Sequence, residues 1–375
     1  MSKTKIKLIR PQGFLYFGLL LMLVKVILSV SEVLPYSEGV DRILSVLAAS
    51  ILLIEILKKR YSVKRLVIYI LIIFLALYGV LITGQYGLLI TIITCMAISD
   101  ADINKVIQFI FQYELLLFIL NITWSIFMSL LGSYSLSAVM YGVERYKFGF
   151  VHPNTLSVIL FNLIIMWIWI KFEQIKWKHL GFIFFISLVS YYFTKTRTSF
   201  FCVLLVIIMV AFFMIKKRKF IKIYKYMTAL IIPVLSIAFY FMIKLRTSNI
   251  TIIMLVDRFL SARITLGGYA YIHYGLTMFG QNLQNMSVTW NEIWRLNSFT
   301  FDCTYTYLMV NQGIIWLIML VVSFFMLTKY KSNKINVALI SWGLYAMTEV
   351  HGLNGFMCFP VLLVSLLISK NVEVC

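Results

Sequence analysis

Two acidic residues lie where a predicted membrane segment begins or ends, which is a suitable place for proton transfer. Asp302 lies in the sequence FDCTY, which closes a long loop, and Glu349 lies two residues before His351 in a short polar turn. A carboxylate at such a position can accept the proton of an attacking hydroxyl group. The alternatives are a helix cap for Asp302 and a simple polar turn for Glu349 and His351.

Three arginines in nearby segments could bind an anionic group. Arg197 lies in FTKTRTS, between two apolar runs, and Arg258 and Arg263 lie in DRFLSARI. A guanidinium group is a rigid fork of donors that matches phosphate oxygens. Each arginine also has a structural alternative. Arg197 could be an anchor to lipid headgroups, Asp257 could form a local surface pair with Arg258, and Arg263 could be solvated on a helix at the membrane surface.

A histidine and an asparagine stand at the start of another apolar run. His152 and Asn154 flank Pro153, and proline is common in the first turn of a helix. Asn154 could satisfy backbone groups of that turn. His152 could instead donate a hydrogen bond to a sugar or a phosphate.

The elements that must position these residues are membrane helices. The chain has 375 residues, of which 62% are hydrophobic and only 13% are charged, whereas soluble domains are about 45–50% apolar and about 25% charged. One soluble core cannot hide this surplus, which excludes a soluble enzyme, a disordered chain and a small disulfide scaffold. The cysteines show no CxxC or Cys/His metal spacing, and we predict neither a metal nor another cofactor.

Apolar runs of near-spanning length predict an all-α polytopic membrane protein with about 10 to 12 transmembrane helices. Residues 1–375 are predicted to form a single transmembrane domain, with one span at 304–327 and the last at 354–369. Most of the 34 Lys and Arg residues fall in short loops on one side if the N-terminus is cytoplasmic, which predicts that both termini are cytoplasmic. The net charge of +20 then indicates contact with anionic headgroups and no nucleic-acid partner.

The opposite, outer side receives two longer segments, at about 132–151 and 245–303. Long loops are uncommon in compact proteins unless they have a function. The run 252–260 is amphipathic, which predicts a short helix lying on the outer membrane surface. We therefore expect the large loop 245–303 to carry part of an active site.

Four motifs follow one another along residues 140–330. They are FGFVHPN, FTKTRTS, LSARITLGGYAYIHYGLTMFGQ and FDCTYTYLMVNQGII. Together they resemble the Wzy-type polysaccharide polymerases, which are relatives of the O-antigen ligases, whereas the earlier segments are similar to that family only in hydropathy. The resemblance implies a GT-C-like membrane fold.

The resemblance also implies an inverting, metal-independent glycosyltransferase at the outer face of the plasma membrane. Its donor and acceptor would be oligosaccharides linked to undecaprenyl diphosphate, and the growing chain would move onto the sugar of a fresh repeat unit. Arg197 and Arg263 stand where the motifs contact the donor diphosphate. Ligases commonly have a histidine at the position of Asp302, so the aspartate favours a polymerase and leaves the identity of the base open. A flippase and a chain-length regulator are expected partners, beside the lipid bilayer.

The predicted catalytic residues are therefore Asp302, Arg263 and Arg197. Tyrosine rings offer flat faces for sugars, and polar groups at the same membrane face could hold the substrate. The predicted substrate-binding residues are His152, Asn154, Arg258, Tyr269, Tyr274, Tyr305, Glu349 and His351. The main alternative function is a flippase or other transporter of lipid-linked oligosaccharides, although transporters commonly show repeated halves and a polar site at the midplane.

Overall fold

The computed structural model describes residues 12–140, 142–216, 219–283 and 301–369. The chain is mostly helical, at 76%. Both predicted cytoplasmic termini, and residues 284–300 of the predicted loop 245–303, lie outside the described residues. The α-helices are α1 (Gly13–Ser29), α2 (Glu38–Leu57), α3 (Val63–Thr83), α4 (Gly87–Ile98), α5 (Ile103–Leu130), α6 (Pro153–Lys171), α7 (Trp177–Thr194), α8 (Arg197–Ile215), α9 (Lys222–Lys244), α10 (Thr251–Phe259), α11 (Arg263–Tyr274), α12 (Thr304–Tyr307), α13 (Ile314–Leu327) and α14 (Asn333–Tyr345).

Five helices among the described residues are long and apolar enough to cross a membrane. They are α3, α5, α6 with the short 3-10 helix that extends it to Gln174, α8 and α9. Large apolar side chains are exposed on the surfaces of these helices that face away from the protein interior, for example Phe74 on α3 and Ile208 on α8. Such surfaces suit a lipid bilayer, which does not penalise exposed apolar groups.

The most buried helices lie at the centre of the bundle. α14 is buried along nearly its whole length, and it packs against α8 and α9. α6 is also mostly buried and packs against α5 and α7. The loops that leave α14 and precede α6 therefore start from well-fixed positions, which matters because both carry candidate site residues.

The span predicted at 304–327 is not one continuous helix. It consists of the four-residue helix α12, a π-helical turn at Leu308–Gln312, and α13. The last predicted span, at 354–369, also differs from a regular α-helix, because it contains the 3-10 helix Phe359–Ile368. Hydropathy detected both segments but does not distinguish among helix types.

The break before α13 has a backbone cause. The N–H groups of Ile314 and Ile315, at the start of α13, donate to the carbonyl oxygens of Thr277 (2.9 Å) and Met278 (3.2 Å). Gly313 has φ +105°, and a Cβ there would lie 2.6 Å from the backbone nitrogen of Gly280. The loop after α11 thus supplies the acceptors that a preceding helical turn would otherwise supply to the N–H groups at the start of α13. The backbones of Gly313 and Gly280 come so close that only glycine fits there.

The segments predicted to be outside contain elements that differ from the prediction. Residues 137–146 form an antiparallel hairpin, β1 (Ser137–Met140) and β2 (Val143–Tyr146), which the sequence analysis missed. α10 exposes Ile252, Leu255 and Phe259, as expected for a helix at a membrane surface. α11 instead packs against α9 and buries most of its first two turns.

Candidate active site

Arg263 joins three separate segments of the chain in a buried polar group. Its Nε donates to the carbonyl oxygen of Asp302 at 3.0 Å, and its Nη1 donates to the carbonyl oxygen of Leu260 at 2.8 Å. Its Nη2 lies 3.5 Å from Oε1 of Glu349. Arg263 is only 4% exposed. We call Arg263, Asp302 and Glu349 the Arg263 cluster.

Arg263 is held in place by the way α11 begins. Asp257, at the end of α10, accepts hydrogen bonds from the backbone N–H groups of Ile264 (2.8 Å) and Thr265 (3.1 Å). These are donors of the first turn of α11, which has no earlier helical partner for them. Asp257 also pairs with Arg246, with Nε 3.5 Å from Oδ2. The anticipated pair between Asp257 and Arg258 is therefore not formed, and Arg258 is exposed.

Glu349 lies in the turn after α14, and α12 holds that turn. The hydroxyl of Thr304 donates to the carbonyl oxygen of Glu349 at 2.6 Å and accepts from the N–H of Gly352 at 3.2 Å. Within the described ranges Oε1 of Glu349 has no hydrogen-bond partner, because the contact with Arg263 is longer than a good hydrogen bond. The carboxyl group is thus fixed by its backbone but poorly solvated by its surroundings.

This setting determines the charge of Glu349. Burial raises its pKa, the charge of Arg263 opposes that shift, and the charge of Asp302 adds to it, so that the pKa of Glu349 is about 8. At neutral pH the carboxyl group is mostly protonated, as expected for a buried acid. The positive charge of Arg263 is then only weakly compensated.

Asp302 lies close to both Glu349 and His152. Its charge raises the pKa of Glu349 and opposes the lowering of the pKa of His152, which results first from burial and then from the charge of Arg145. Asp302 does not occupy the N-cap position of α12, which belongs to Cys303. The carboxylate predicted as a general base is therefore in the polar group, between elements that are far apart in sequence.

The hairpin contributes an arginine that the sequence analysis missed. Arg145 on β2 donates from Nη2 to Oδ1 of Asn154 (2.7 Å) and to Oγ1 of Thr196 (3.1 Å), and from Nε to the carbonyl oxygen of Thr194 (2.7 Å). Nδ1 of His152 accepts from the N–H of Asn154 at 3.0 Å, which leaves Nε2 as the donor of the neutral ring. The available signal was an arginine in the predicted outer loop 132–151, a few residues before His152.

Arg197 is the first residue of α8 and is exposed. It makes no hydrogen bond or ion pair with the residues that the structure describes, and nothing of that kind joins it to Arg263. Phe201, one turn along α8, contacts Phe259 of α10 with ring centroids 5.6 Å apart. Arg258 neighbours that contact in sequence, so Arg197 and Arg258 belong to adjoining helices.

The predicted tyrosines have different positions. Tyr269 is buried on α11, with its ring centroid 4.3 Å from that of His273, and Tyr274 at the end of α11 is half-buried. Tyr305 is fully buried, stacks on Phe239 at 5.6 Å and donates its hydroxyl to the carbonyl oxygen of Gly343. We therefore assign Tyr305 to core packing rather than to substrate contact.

His351 belongs to a neighbouring cavity rather than to the Arg263 cluster. It lines a space of about 340 Å³ together with residues of α1, α4 and α12. Burial lowers the pKa of His351 to about 4, so the ring is neutral at physiological pH. Among the described residues, no three His, Cys, Asp or Glu side chains come together as a metal site.

No protein-family model, curated protein or solved structure matches the chain in the comparisons with known proteins. The observations that bear on function are therefore its motifs and the geometry of the polar groups. The central observation is that Arg263 contacts both Asp302 and Glu349, and that His152 lies within electrostatic range of both Asp302 and Arg145.

Proposed function

We propose that this chain is a membrane glycosyltransferase that polymerises undecaprenyl-diphosphate-linked oligosaccharide repeat units into a surface polysaccharide. The observation that carries the proposal is the Arg263 cluster, in which a buried arginine contacts the side chain of Glu349 and the backbone carbonyl oxygen of Asp302, two residues from distant segments. Each of these segments carries one of the four motifs or follows α14 on the same predicted face. A positive charge beside a carboxylate matches a reaction that both removes a proton and expels an anionic leaving group.

In the proposed reaction, Asp302 acts as the general base. It accepts the proton of a hydroxyl group on the acceptor sugar while that oxygen attacks the anomeric carbon of the donor from the opposite side. The bond between that carbon and the phosphate oxygen breaks, and undecaprenyl diphosphate leaves with the electron pair. The configuration at the anomeric carbon is inverted, and no metal or other cofactor is required.

Exposed and buried arginines both stabilise the departing diphosphate. Arg197 and Arg258 are exposed at the edge of the site, where their guanidinium groups are open to phosphate oxygens. Arg263 is buried and stabilises the diphosphate from the protein interior. Its positive charge is not neutralised by Glu349 when that carboxyl group is protonated. Charge held in a buried site stabilises a transition state more than charge in water does.

The proposal includes a membrane topology. We infer about twelve spans in a GT-C-like arrangement in the plasma membrane, with both termini in the cytoplasm and 245–303 outside. A contact between segments that the charge pattern assigns to one face supports it. Lys334 donates to Asn104, and both lie on the predicted inner side.

The test of function is deletion of the gene, followed by gel analysis of the surface glycan. A polymerase predicts that cells still display single repeat units and lose all longer chains, which the wild-type gene restores. Loss of all surface glycan, with lipid-linked units retained on the cytoplasmic face, would instead identify a flippase. Long polymer that remains on its lipid carrier would identify a ligase.

A further inference from the structure

A cavity with several polar groups in its lining, which we call the polar cavity, lies beside two of the segments that carry the Arg263 cluster. The cavity of about 340 Å³ is lined by Lys25 of α1, Tyr86 and Thr91 at the start of α4, Tyr307 of α12, and His351. α12 follows Asp302 directly, and His351 lies two residues after Glu349. The cavity therefore borders the segments that carry Asp302 and Glu349.

The charges that face this cavity are balanced. Nζ of Lys25 lies 3.0 Å from Oδ1 of Asp41, and the hydroxyl of Tyr86 also donates to Asp41. His351 is neutral at physiological pH. A cavity in which the one lysine is already paired is poorly suited to a diphosphate, which would gain no uncompensated positive charge.

The remaining lining is rich in neutral hydrogen-bonding groups. Nε2 of Gln312 donates to Oε1 of Gln85 and to the hydroxyl of Tyr307, both at 2.9 Å, and Tyr307 also donates to Gln85. His351 has no side-chain hydrogen-bond partner among the described residues, so its ring offers one donor and one acceptor to a ligand. Neutral polar groups beside tyrosine rings fit the hydroxyls and the flat faces of a sugar. The volume lies in the range typical of small-molecule sites, about 300–1,000 Å³.

We propose that this cavity binds the terminal sugar of the lipid-linked acceptor and presents its attacking hydroxyl to Asp302. The inference rests on the proposed function and assigns the acceptor a place in it. His351 would contact sugar hydroxyls directly, and Tyr86 and Tyr307 would flank the ring.

An adjoining apolar groove fits the rest of such an acceptor. Thr91, Leu88 and Leu353 line both the polar cavity and a groove of about 310 Å³ between α3, α4, α13 and the 3-10 helix Phe359–Ile368. A molecule with a sugar at one end and a hydrocarbon chain at the other could use both surfaces. A free sugar would use only the cavity.

The experiment measures binding of the repeat-unit oligosaccharide after mild acid has released it from its lipid carrier. The full-length protein is placed in lipid nanodiscs, and binding is followed by saturation-transfer NMR. His351→Ala should bind at least about tenfold more weakly than wild type, because two hydrogen bonds are lost. His351→Gln, which keeps a donor and an acceptor, should recover most of the binding. His179→Ala, which changes a histidine outside the cavity, should bind like wild type.

Competition identifies the ligand chemistry. Sodium pyrophosphate should not displace the oligosaccharide, and displacement would assign the cavity to the diphosphate instead. Wild-type binding by both His351→Ala and His351→Gln would also overturn the proposal. Oligosaccharide binding that depends on His351 in a protein without polymerase activity would reject the proposed function but retain a sugar site. Normal polymerase activity with binding independent of His351 would keep the proposed function and reject the sugar site.

Discussion

Two buried arginines of this protein have very different surroundings. Arg65, on α3, is 8% exposed and Arg263 is 4% exposed. Nη2 of Arg65 lies 2.9 Å from Oδ2 of Asp100, and its Nη1 donates to Oδ1 of Asp100 at 3.1 Å. Tyr69 and Ser99 accept its remaining hydrogen bonds. We call Arg65, Tyr69, Ser99 and Asp100 the Arg65 network.

The Arg263 cluster lacks this mutual satisfaction. Arg263 uses two donors on backbone carbonyl oxygens, and its acidic partner Glu349 is 3.5 Å away with a buried oxygen that accepts no hydrogen bond from described residues. Buried polar groups are normally satisfied, and exceptions concentrate at functional sites. This difference is consistent with a structural role for the Arg65 network and supports the ligand-binding role that we propose for the Arg263 cluster.

The largest expected effect separates the two acidic residues of the Arg263 cluster. Asp302→Asn removes the proposed base and should lower polymer formation by about a hundredfold or more. Glu349→Gln imitates the protonated acid and should keep activity within about threefold of wild type. The measurement is polymer yield and length on glycan gels at equal protein abundance. Normal polymer from Asp302→Asn, together with none from Glu349→Gln, would transfer the role of base to Glu349.

Arginine-to-lysine exchanges should produce the next largest effect. Lysine keeps the charge but loses the planar fork, so Arg197→Lys and Arg263→Lys should each slow turnover by about ten- to a hundredfold. Arg263→Lys should also lower the melting midpoint, because it loses hydrogen bonds to Leu260 and Asp302. Arg197→Lys should leave the midpoint unchanged. Turnover and thermal unfolding are measured on the same purified samples.

Arg60→Lys is a suitable control for this pair, since Arg60 lies in the loop predicted to be cytoplasmic. It should not change turnover. Full-length polymer from both Arg197→Lys and Arg263→Lys would reject a role of these residues in binding the diphosphate. It would leave Arg197 as an anchor to lipid headgroups.

Hydropathy predicted the helical segments well, but it could not predict how one of them breaks. The apolar run 304–327 looks continuous, because the cause of its break lies elsewhere in the chain. The carbonyl oxygens of Thr277 and Met278 supply acceptors for the start of α13, and Gly280 meets Gly313 backbone to backbone. Such long-range backbone contacts leave no periodic signal in the sequence.

The site shows the same division between local and long-range information. Asp302 and Glu349 could be assigned to one face from loop charges, and both lie beside Arg263. Arg145 was missed because its partners, Asn154 and Thr196, belong to other elements. Tyr305 was predicted to bind substrate, but its ring packs in the core against Phe239.

One pairing was within reach of sequence reasoning. Lys25 lies near the end of α1 and Asp41 near the start of α2, and a short connection places antiparallel helix ends side by side. Their ion pair follows from that hairpin. The pairing of Glu114 with Asn162 of α6 could not be foreseen, since nothing local relates those two positions.

A smaller effect, on stability alone, should follow from a change in the Arg65 network. Asp100→Asn removes the charged partner of Arg65 and should lower the free energy of unfolding by about 1–2 kcal/mol. The value is at the low end for buried pairs because the side chain of Asp100 is 29% exposed. Polymer length should not change. Glu173→Gln, at an exposed acid on the same predicted face, is the matched control, and a shortened polymer in Asp100→Asn would break the contrast with the Arg263 cluster.

The smallest expected effect is on the pH dependence of turnover. Glu349, which faces Arg263 and Asp302, has a pKa of about 8, so it is neutral below that pH and negatively charged above it. Its negative charge would compensate Arg263 and weaken stabilisation of the departing diphosphate. We therefore expect the turnover rate to fall by about threefold as the pH rises from about 6.5 to about 9.

Glu349→Gln cannot ionise at this position, so its turnover should lack that fall. The two proteins are compared in nanodiscs with the same lipid-linked substrate at each pH. A rate that rises through about pH 8 in wild type, but not in Glu349→Gln, would mean that the ionised form of Glu349 is the active one. In that event the unsatisfied oxygen of Glu349 would mark the base itself, and the Arg263 cluster would differ from the Arg65 network by holding a carboxylate ready for proton transfer.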